Sequence, residues 1–242
     1  MESGMVRQAR YGAQTRLRAL QSDIMDLILE RELEAGDPLP TENELAASLG
    51  VGRNTLRESL KVLQAMGVVE IRHGFGMFVA PSNFDAFADG LVFRSRLSLR
   101  QNGEDALQLL GIREALETGL LPAAVAATTP GQLARLAEAV EHLEQLAESG
   151  EHSAPADAEF HRRLFEPLGN DLLQQLLGVF WKVYRRIQLE AGPATEDAPA
   201  AAALHRGIYD AVAAGDTAAA RGLLASSFEE LREKIGALVA GR

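Results

Sequence analysis

The chain has 242 residues, of which 47% are hydrophobic and 24% are charged, and its formal net charge is −10. This length and apolar content suffice for two domains with separate cores, and the absence of cysteine excludes a disulfide framework and a thiolate zinc site. The sequence has no pattern of a signal peptide or of a membrane span. We therefore expect a soluble, cytoplasmic protein without a membrane partner.

The N-terminal segment divides into an arm and a helix. Residues 1–14 show no apolar period and are predicted to form a flexible arm. From about residue 15 to residue 34, apolar side chains recur at helical spacing, and Gly36-Asp37-Pro38 ends the predicted helix. Its apolar positions are Leu17, Leu20, Ile24, Leu27, Ile28 and Leu33.

A capping box at Thr41 and Glu44 marks the start of a second helix. The turn Gly50-Val51-Gly52 then leads into a third helix that carries two stripes. One stripe is apolar and the other is basic: Leu56, Leu60 and Leu63, and Arg53, Arg57 and Lys61. A basic stripe is usually only a solvated face. Opposite a buried leucine stripe, however, it can meet the phosphates and guanine edges of DNA.

Two β-rich runs, 68–72 and 77–79, flank His73-Gly74-Phe75-Gly76, which predicts a glycine-containing hairpin. Three helices followed by a hairpin predict a winged helix-turn-helix DNA-binding domain over residues 15–80. The acidic net charge does not contradict this prediction, because residues 1–80 carry 9 Lys+Arg against 11 Asp+Glu, while residues 81–242 carry 15 against 23. A sequence-specific DNA-binding protein needs a local basic patch rather than a basic chain.

Residues 81–84 are predicted to be a linker, because Pro81 stops the preceding strand. The remainder, 85–242, has the pattern of an all-α domain with about seven helices bounded by Gly and Pro. The predicted helices are 83–97, 104–127, 130–149, 153–167, 170–191, 198–214 and 216–239. Pro122 lies inside the second of these and is expected to kink or break it.

Three side chains in this helical region suggest a buried polar site. Asp157 and His161 share one helix face with apolar residues, and His205 shares a face with Ile208 and other apolar residues. An inward carboxylate with two inward imidazoles is costly unless its members are satisfied, and a divalent cation can satisfy them. The alternative is a simple i,i+4 contact between Asp157 and His161.

Arg113 interrupts an apolar stripe on its helix, so it can bind a carboxylate inside the domain. The alternative is a structural ion pair with Glu117 four residues later. Tyr184, beside Arg185 and Arg186, is a further candidate for the same pocket.

In its N-terminal region the sequence resembles the GntR family of bacterial transcription regulators. The matching residues are Leu33, Gly36, Asp37, Leu39-Pro40-Thr41-Glu42, Glu44-Leu45-Ala46, Leu49-Gly50-Val51, Arg53, Thr55, Arg57-Glu58, Leu63, Gly67, Gly74, Gly76, Phe78 and Val79. The resemblance implies that Arg53, Thr55 and Arg57 contact DNA, with Lys61 on the same stripe. It also implies that Gly74, with His73 beside it, is a wing tip that enters the minor groove.

Two positions of this region leave alternatives open. Asn43 stands where many relatives have arginine, so it keeps a hydrogen-bonding side chain but loses a charge for a phosphate. Arg57 can instead form a salt bridge with Glu58 or Asp26.

The C-terminal region resembles the ligand-binding domain of the FadR subfamily of GntR regulators, the FCD domain. In that domain DxxxH and two further histidines hold a metal that helps to bind a small carboxylate effector. Asp157 and His161 match the DxxxH motif and His205 matches the second histidine, but Ser227 stands near the position of the third. The resemblance thus implies a Zn²⁺ or similar transition-metal site with at most three protein ligands, or a metal-free polar pocket. Effector-binding candidates are Arg113, Asp157, His161, Tyr184, His205 and Ser227.

We therefore expect a non-enzymatic transcription regulator that binds a palindromic double-stranded DNA operator as a homodimer. A small organic acid in the helical pocket would regulate it, as a repressor or an activator. One alternative is a regulator for which the metal itself is the signal, and another is a metal-dependent hydrolase.

Overall fold

The computed structural model describes residues 2–81, 83–151, 153–191 and 197–240. The chain forms two compact units, Met1–Phe87 and Ala88–Arg242. The first contains helices and a two-stranded sheet, and the second is built from helices. This confirms the predicted fold class. The division between the units falls a few residues beyond the predicted linker, inside the helix that begins at Asp85.

The first unit begins with a long helix, α1 (Glu2–Glu30). The backbone is helical from Glu2, whereas the predicted helix began near residue 15; Met1 lies outside the described residues. The flexibility predicted for residues 1–14 stays a prediction. Because extending an existing helix costs much less than nucleating one, the packed part of α1 can propagate into residues that lack an apolar period. The helix also ends earlier than predicted, at Glu30 rather than near residue 34.

The helix-turn-helix is formed by α2 (Glu42–Ser48) and α3 (Arg53–Ala65). The predicted capping box is present, with the Thr41 side chain accepting from the Glu44 amide and the Glu44 side chain accepting from the Thr41 amide. The core of this unit consists of buried side chains from the three helices and the sheet: Leu20, Ile24, Ile28, Leu39, Leu45, Ala46, Leu56, Leu60, Leu63, Val69 and Met77.

The wing is an antiparallel pair of strands, β1 (Val69–Arg72) and β2 (Gly76–Val79), with Val69 opposite Val79 and Arg72 opposite Gly76. The segment before α2 adds to this sheet, because the Leu39 amide donates to the Met77 carbonyl at 2.8 Å and the Val79 amide donates to the Asp37 carbonyl at 2.9 Å. The wing is thereby attached to the chain that enters the helix-turn-helix.

Within the described part of residues 83–240, seven helices follow, in close agreement with the predicted segments. They are α4 (Asp85–Leu99), α5 (Glu104–Ala127), α6 (Pro130–Glu148), α7 (Ala154–Phe165), α8 (Asp171–Ala191), α9 (Ala198–Ala213) and α10 (Thr217–Ala240). A single 3-10 turn, Glu166–Leu168, connects α7 to α8. The expected break at Pro122 is absent, since α5 continues through it. Proline removes one backbone donor, and the buried neighbours Leu121 and Ala124 pack the helix on both sides of that gap.

The core of the second unit contains large side chains from α5, α7, α9 and α10, among them Leu121, Phe160, Phe165, Ile208 and Phe228. Charged and polar side chains lie among them: Arg113, Glu117, Asp157, His161 and His205. Within the described ranges, no helix is both long enough and apolar enough to cross a membrane.

Candidate functional site

The candidate DNA-binding surface lies on α3. Leu56, Leu60 and Leu63 are buried in the core of the first unit. The opposite face carries exposed polar and basic side chains, Arg53, Thr55, Arg57 and Lys61. The apolar stripe therefore fixes the orientation of the helix, and the basic stripe is left available to a partner.

The basic side chains of α3 differ in their contacts. The Arg57 Nε atom donates to Glu42 Oε2 at 2.7 Å, so the ion-pair partner of Arg57 is Glu42 of α2, and neither Glu58 nor Asp26. Lys61 pairs with Glu58 at 2.8 Å. Arg53 forms no ion pair with any described residue. Both ion pairs are exposed, and an exposed ion pair stabilises a folded protein by only about 0–1 kcal/mol. Arg57 and Lys61 can therefore each exchange the carboxylate partner for a DNA phosphate.

The wing tip is exposed at His73, Gly74 and Phe75. Gly74 has a φ of 80° and Gly76 has a φ of 118°, in the left-handed region that glycine adopts without strain. Phe75 is 84% exposed between them. Phe75 is not among the DNA-binding residues predicted from the sequence, although an aromatic residue between two turn glycines is a recognisable signal. Asn43 is also exposed, on α2.

The buried site of the second unit joins α7 to α9. Asp157 and His161 lie one turn apart on α7, and His205 lies on α9; all three are at most 7% exposed. One potential ligand atom from each lies within 4.8 Å of the others. Nε2 of His161 is 3.8 Å from Asp157 Oδ1, which is too long for a hydrogen bond. The simple i,i+4 contact therefore does not satisfy these side chains.

The contact between Asp157 and His205 is close but poorly directed. Asp157 Oδ1 and His205 Nε2 are 2.7 Å apart, yet neither atom has a hydrogen-bond partner, although both are buried. The other ring nitrogen of His205 is 2.7 Å from the Ala201 carbonyl. That nitrogen must donate, since a carbonyl only accepts, and in neutral imidazole this leaves a lone pair on Nε2.

The imidazole of His161, like that of His205, has its Nδ1 atom beside an oxygen acceptor. Nδ1 of His161 is 2.6 Å from Glu117 Oε2, so an ionised Glu117 requires the proton on Nδ1 and leaves Nε2 of His161 unprotonated. A carboxylate oxygen and two imidazole Nε2 atoms then share one buried space. This donor set suits Zn²⁺ or a similar transition metal, and the orphaned Asp157 and His205 atoms fit such a cation.

The acidic and basic groups of the cluster stabilise each other's charged forms. Burial alone would raise the pKa of Asp157, but the contact with His205 and the nearby His161 and Arg113 outweigh it and hold this pKa at about 2. Burial likewise opposes the charge on Glu117, while Arg113 and His161 hold its pKa at about 2. Burial would lower the pKa of His205, but Asp157 outweighs burial and raises it. Both carboxylates are therefore ionised and able to accept hydrogen bonds or bind a cation. A cation bound by Nε2 of His205 would replace the proton that Asp157 stabilises there.

Arg113 links this cluster to a cavity. Its Nε atom donates to Glu117 Oε1 at 2.6 Å, which is the ion pair considered as an alternative, but its buried Nη1 atom has no hydrogen-bond partner. The guanidinium lies 3.9 Å from the centre of the Trp181 ring. Trp181 Nε1 is also buried without a partner. Two unsatisfied donors are thus close together, which suits an acceptor such as a carboxylate.

The cavity is small, with about 40 Å³ open to the centre of a water-sized sphere, which is room for a few water molecules or a small ligand. Its wall contains all six predicted effector-binding residues: Arg113, Asp157, His161, Tyr184, His205 and Ser227. The Ser227 hydroxyl donates to the Leu224 carbonyl at 2.7 Å, and serine is a neutral, weak metal ligand. Arg185 is exposed and is not part of this wall.

Two residues of this site, Glu117 and Trp181, were not predicted from the sequence in the roles that the structure gives them. Glu117 was considered only as the partner of Arg113, although it also contacts His161. Trp181 was not selected, although the sequence contains one tryptophan, and its ring lies 5.2 Å from the His161 ring. The contact between Glu117 and His161 joins α5 to α7, which local spacing cannot reveal.

Each of the two units matches a known protein family. Residues 17–79 match the gntR family of bacterial regulatory proteins, and residues 108–230 match the FCD domain. The HTH-type transcriptional regulator LutR of Bacillus subtilis is 32% identical over 151 residues, which is 62% of this chain and 67% of that protein. The putative L-lactate dehydrogenase operon regulatory protein of Escherichia coli is 31% identical over 218 residues, which is 84% of this chain and 81% of that protein.

Among solved structures, a GntR protein of Streptococcus agalactiae is similar with a TM-score of 0.65 at 26% identity, covering 90% of this chain and 99% of that chain. The winged helix and the helical unit together define a DNA-binding transcription regulator. The chain belongs to the GntR family of bacterial regulatory proteins, in the group that carries an FCD domain.

Proposed function

We propose that this regulator binds a palindromic operator as a homodimer and that a small carboxylate in the FCD cavity controls the binding. Arg53, Thr55, Arg57 and Lys61 of α3 would contact DNA, together with Asn43 of α2 and the wing residues His73 and Gly74. The cavity residues would bind the effector. Because the target is bacterial DNA, the protein would act in the cytoplasm, as a repressor or an activator.

One observation supports the effector site more strongly than any other observation. The unsatisfied Nη1 atom of Arg113 and the Asp157, His161 and His205 cluster line the same cavity. A guanidinium can bind a carboxylate through charge-assisted hydrogen bonds. A divalent cation on Asp157, His161 and His205 would, when bound, add positive charge beside it. An organic anion is therefore the class of ligand that this wall favours.

The proposed control is a shift of population between two packings of the helical unit. An effector changes operator affinity only if it binds one packing more tightly than the other. A coupling of about 1–3 kcal/mol corresponds to about a 5- to 150-fold change in affinity. The relative from Escherichia coli is named for an L-lactate dehydrogenase operon, so L-lactate is the first acid to test, followed by sugar acids and dicarboxylates.

The experiment is an operator titration by fluorescence anisotropy, with a duplex selected from random DNA by the wild-type protein. Entry of each acid into the cavity is followed separately through the fluorescence of Trp181, which forms part of the wall. We expect at least one acid to quench or shift this emission and to change operator affinity at least about fivefold. If every acid that enters the cavity leaves operator affinity unchanged, the proposed control is wrong.

A second candidate uses the same residues, with the cation itself as the signal. The buried donor set of Asp157, His161 and His205 supports it as well as it supports an effector site. Protein stripped by a chelator would then lose or gain operator affinity, and Zn²⁺ alone would reverse the change. Unchanged operator binding by the stripped protein would exclude the metal as the signal while leaving the acid as a candidate.

A further inference from the structure

Glu117 has an unusual position for a carboxylate, since it is 0% exposed and contacts two other buried polar side chains. Its Oε1 atom accepts from Arg113 Nε at 2.6 Å, and its Oε2 atom lies 2.6 Å from His161 Nδ1. Each oxygen therefore serves a different partner. The three residues form a buried chain from the cavity arginine on α5 to an imidazole of the proposed metal site on α7.

The contact with His161 determines which ring nitrogen carries the proton. An ionised carboxylate can only accept, so Nδ1 must donate and Nε2 keeps its lone pair. Nε2 lies 3.8 Å from Asp157 Oδ1, and the centre of the His161 ring lies 5.8 Å from that of His205. Carboxylates that hold a histidine in this manner are common behind metal ligands, where they fix the ring orientation and increase its basicity.

The contact with Arg113 fixes the carboxylate in turn. Arg113 lies 3.9 Å from the Trp181 ring centre and 5.3 Å from that of Phe228. A buried guanidinium in contact with an aromatic ring has little freedom to move. A Glu117 side chain that rotated away from Arg113 and His161 would therefore leave a buried charge unpaired. An ion pair that served only to neutralise Arg113 would not require the second oxygen to contact a histidine.

We infer that Glu117 is a positioning residue that prepares His161 for metal binding and connects the metal ligands to the effector-binding arginine. This inference rests on the proposed metal and effector site and adds to it a residue outside the ligand set. It predicts that metal affinity depends on a carboxylate that itself does not contact the metal.

The main test is Glu117→Gln, which removes the charge and retains the shape. A glutamine amide has one acceptor oxygen, so it cannot accept from both Arg113 Nε and His161 Nδ1. If its NH₂ group faces His161, the ring must move its proton to Nε2, the metal-binding atom. We expect the Zn²⁺ affinity of the folded protein, measured by competition with a chromophoric chelator, to fall about 10- to 100-fold.

Glu114→Gln is the matched control, because it makes the same chemical change on the same helix, where Glu114 pairs with Arg232. It should bind Zn²⁺ as the wild type does. Equal Zn²⁺ affinity in folded Glu117→Gln and wild-type protein would overturn the inference and leave Glu117 as a structural partner of Arg113. A wild type that takes up no Zn²⁺ would instead contradict the metal site of the proposed function.

A second measurement needs no variant at Glu117 and no metal. Long-range ¹H–¹⁵N correlation spectra of metal-free wild-type protein, labelled with ¹⁵N-histidine and recorded at about pH 8, where free histidine is neutral, distinguish the two ring nitrogens. The His161 signals can be assigned by comparison with His161→Asn. We expect a protonated Nδ1 and an unprotonated Nε2. The opposite tautomer would overturn the inference, even if Glu117→Gln fails to fold.

Discussion

At the scale of single residues, the FCD unit buries an unusual number of ionisable groups for its size. Arg113, Glu117, Asp157, His161 and His205 are all at most 7% exposed. Removing charges from water costs several kcal/mol for each ion, and pairing offsets this cost only when geometry is good. Here Arg113 Nη1, Asp157 Oδ1 and His205 Nε2 remain without hydrogen bonds. A site built for stability alone would not leave these atoms unsatisfied.

His205→Ala tests the ligand set directly. Only three protein ligands are proposed, so removing one leaves two, and we expect Zn²⁺ affinity to fall by more than the roughly 10- to 100-fold loss typical of an outer-shell change. Metal content by native mass spectrometry and chelator competition measure this loss. His142→Ala is the control, because His142 is exposed on α6. Loss of zinc from both variants, or from neither, would contradict the assigned ligands.

The same variant should also affect stability without metal. Asp157 would keep its buried charge but lose its 2.7 Å neighbour, and breaking a buried pair in this way costs about 3–5 kcal/mol. Chemical unfolding of the stripped proteins measures the difference. The His142→Ala control should change the free energy of unfolding by less than about 0.5 kcal/mol.

Arg57 and Glu42 give a second residue-scale prediction, on DNA binding. Arg57→Ala should weaken operator binding and lower its salt dependence by about one phosphate contact. Glu42→Gln should instead leave binding unchanged or tighten it, because it removes a negative charge and releases Arg57 from its 2.7 Å ion pair. Titrations at several salt concentrations measure both. If Arg57 acted only through its pair with Glu42, the two variants would weaken binding alike.

The limit of sequence-based prediction is clear at this scale. Residues at helical spacing along one segment, such as Asp157 and His161, could be placed on one face in advance. The contact of Glu117 with His161 could not be predicted, because it depends on how α5 packs against α7. Nor could the pairing of Arg57 with Glu42, which depends on how α2 crosses α3. The pair of Arg113 with Glu117 was proposed from sequence because its members are four residues apart on one helix, whereas these two contacts join different helices.

At the scale of elements, prediction succeeded wherever the signal was local. The helices α5, α6 and α9 begin where expected, at Glu104, Pro130 and Ala198, because Gly and Pro bound their helical apolar periods in the sequence. The structure differs from the prediction where a local rule did not hold. The helix α5 continues through Pro122, because packing on both sides compensates for the lost backbone donor. The backbone of α1 is helical from Glu2, because an existing helix propagates at low cost beyond the apolar period that predicted it.

The capping box of α2 gives a prediction at this scale. Thr41 satisfies the Glu44 amide, and its own amide donates to Glu44 Oε2 at 2.8 Å. Thr41→Ala removes the side-chain acceptor and should destabilise the winged helix by about 1 kcal/mol, whereas Thr41→Ser should cost little. Thermal and urea unfolding monitored by circular dichroism measure both variants. Equal destabilisation by alanine and serine would show that the threonine methyl group, rather than the cap, is important.

At the scale of the whole molecule, most of the negative charge lies outside the DNA-binding unit. The net charge of −10 belongs mainly to residues 81–242, which carry 15 Lys+Arg against 23 Asp+Glu. Residues 5–18 contain arginines and no acid, and α3 presents its own basic stripe. DNA affinity must therefore come from a small surface, because like charges on the rest of the chain repel the phosphate backbone. Operator binding by such a surface depends strongly on salt.

A small DNA-binding surface is also the reason that we propose two copies of the chain on one operator. One winged helix contacts a single half-site, so a specific complex needs a dimer whose symmetry matches that of the operator. Both half-sites must then lie at a fixed separation and on a fixed side of the duplex. Inserting about 5 base pairs between the half-sites turns one of them to the opposite side, because a helical turn contains about 10–10.5 base pairs.

We therefore expect the 5-base-pair insertion to lower the affinity of the full chain toward that of a single half-site. Two control duplexes, one with a single half-site and one with scrambled half-sites, set the scale for this loss. Sedimentation velocity of the complex with the unmodified operator should show two chains per duplex. Equal affinity for the original and the inserted operator, or one chain per duplex at saturation, would contradict binding as a symmetric dimer.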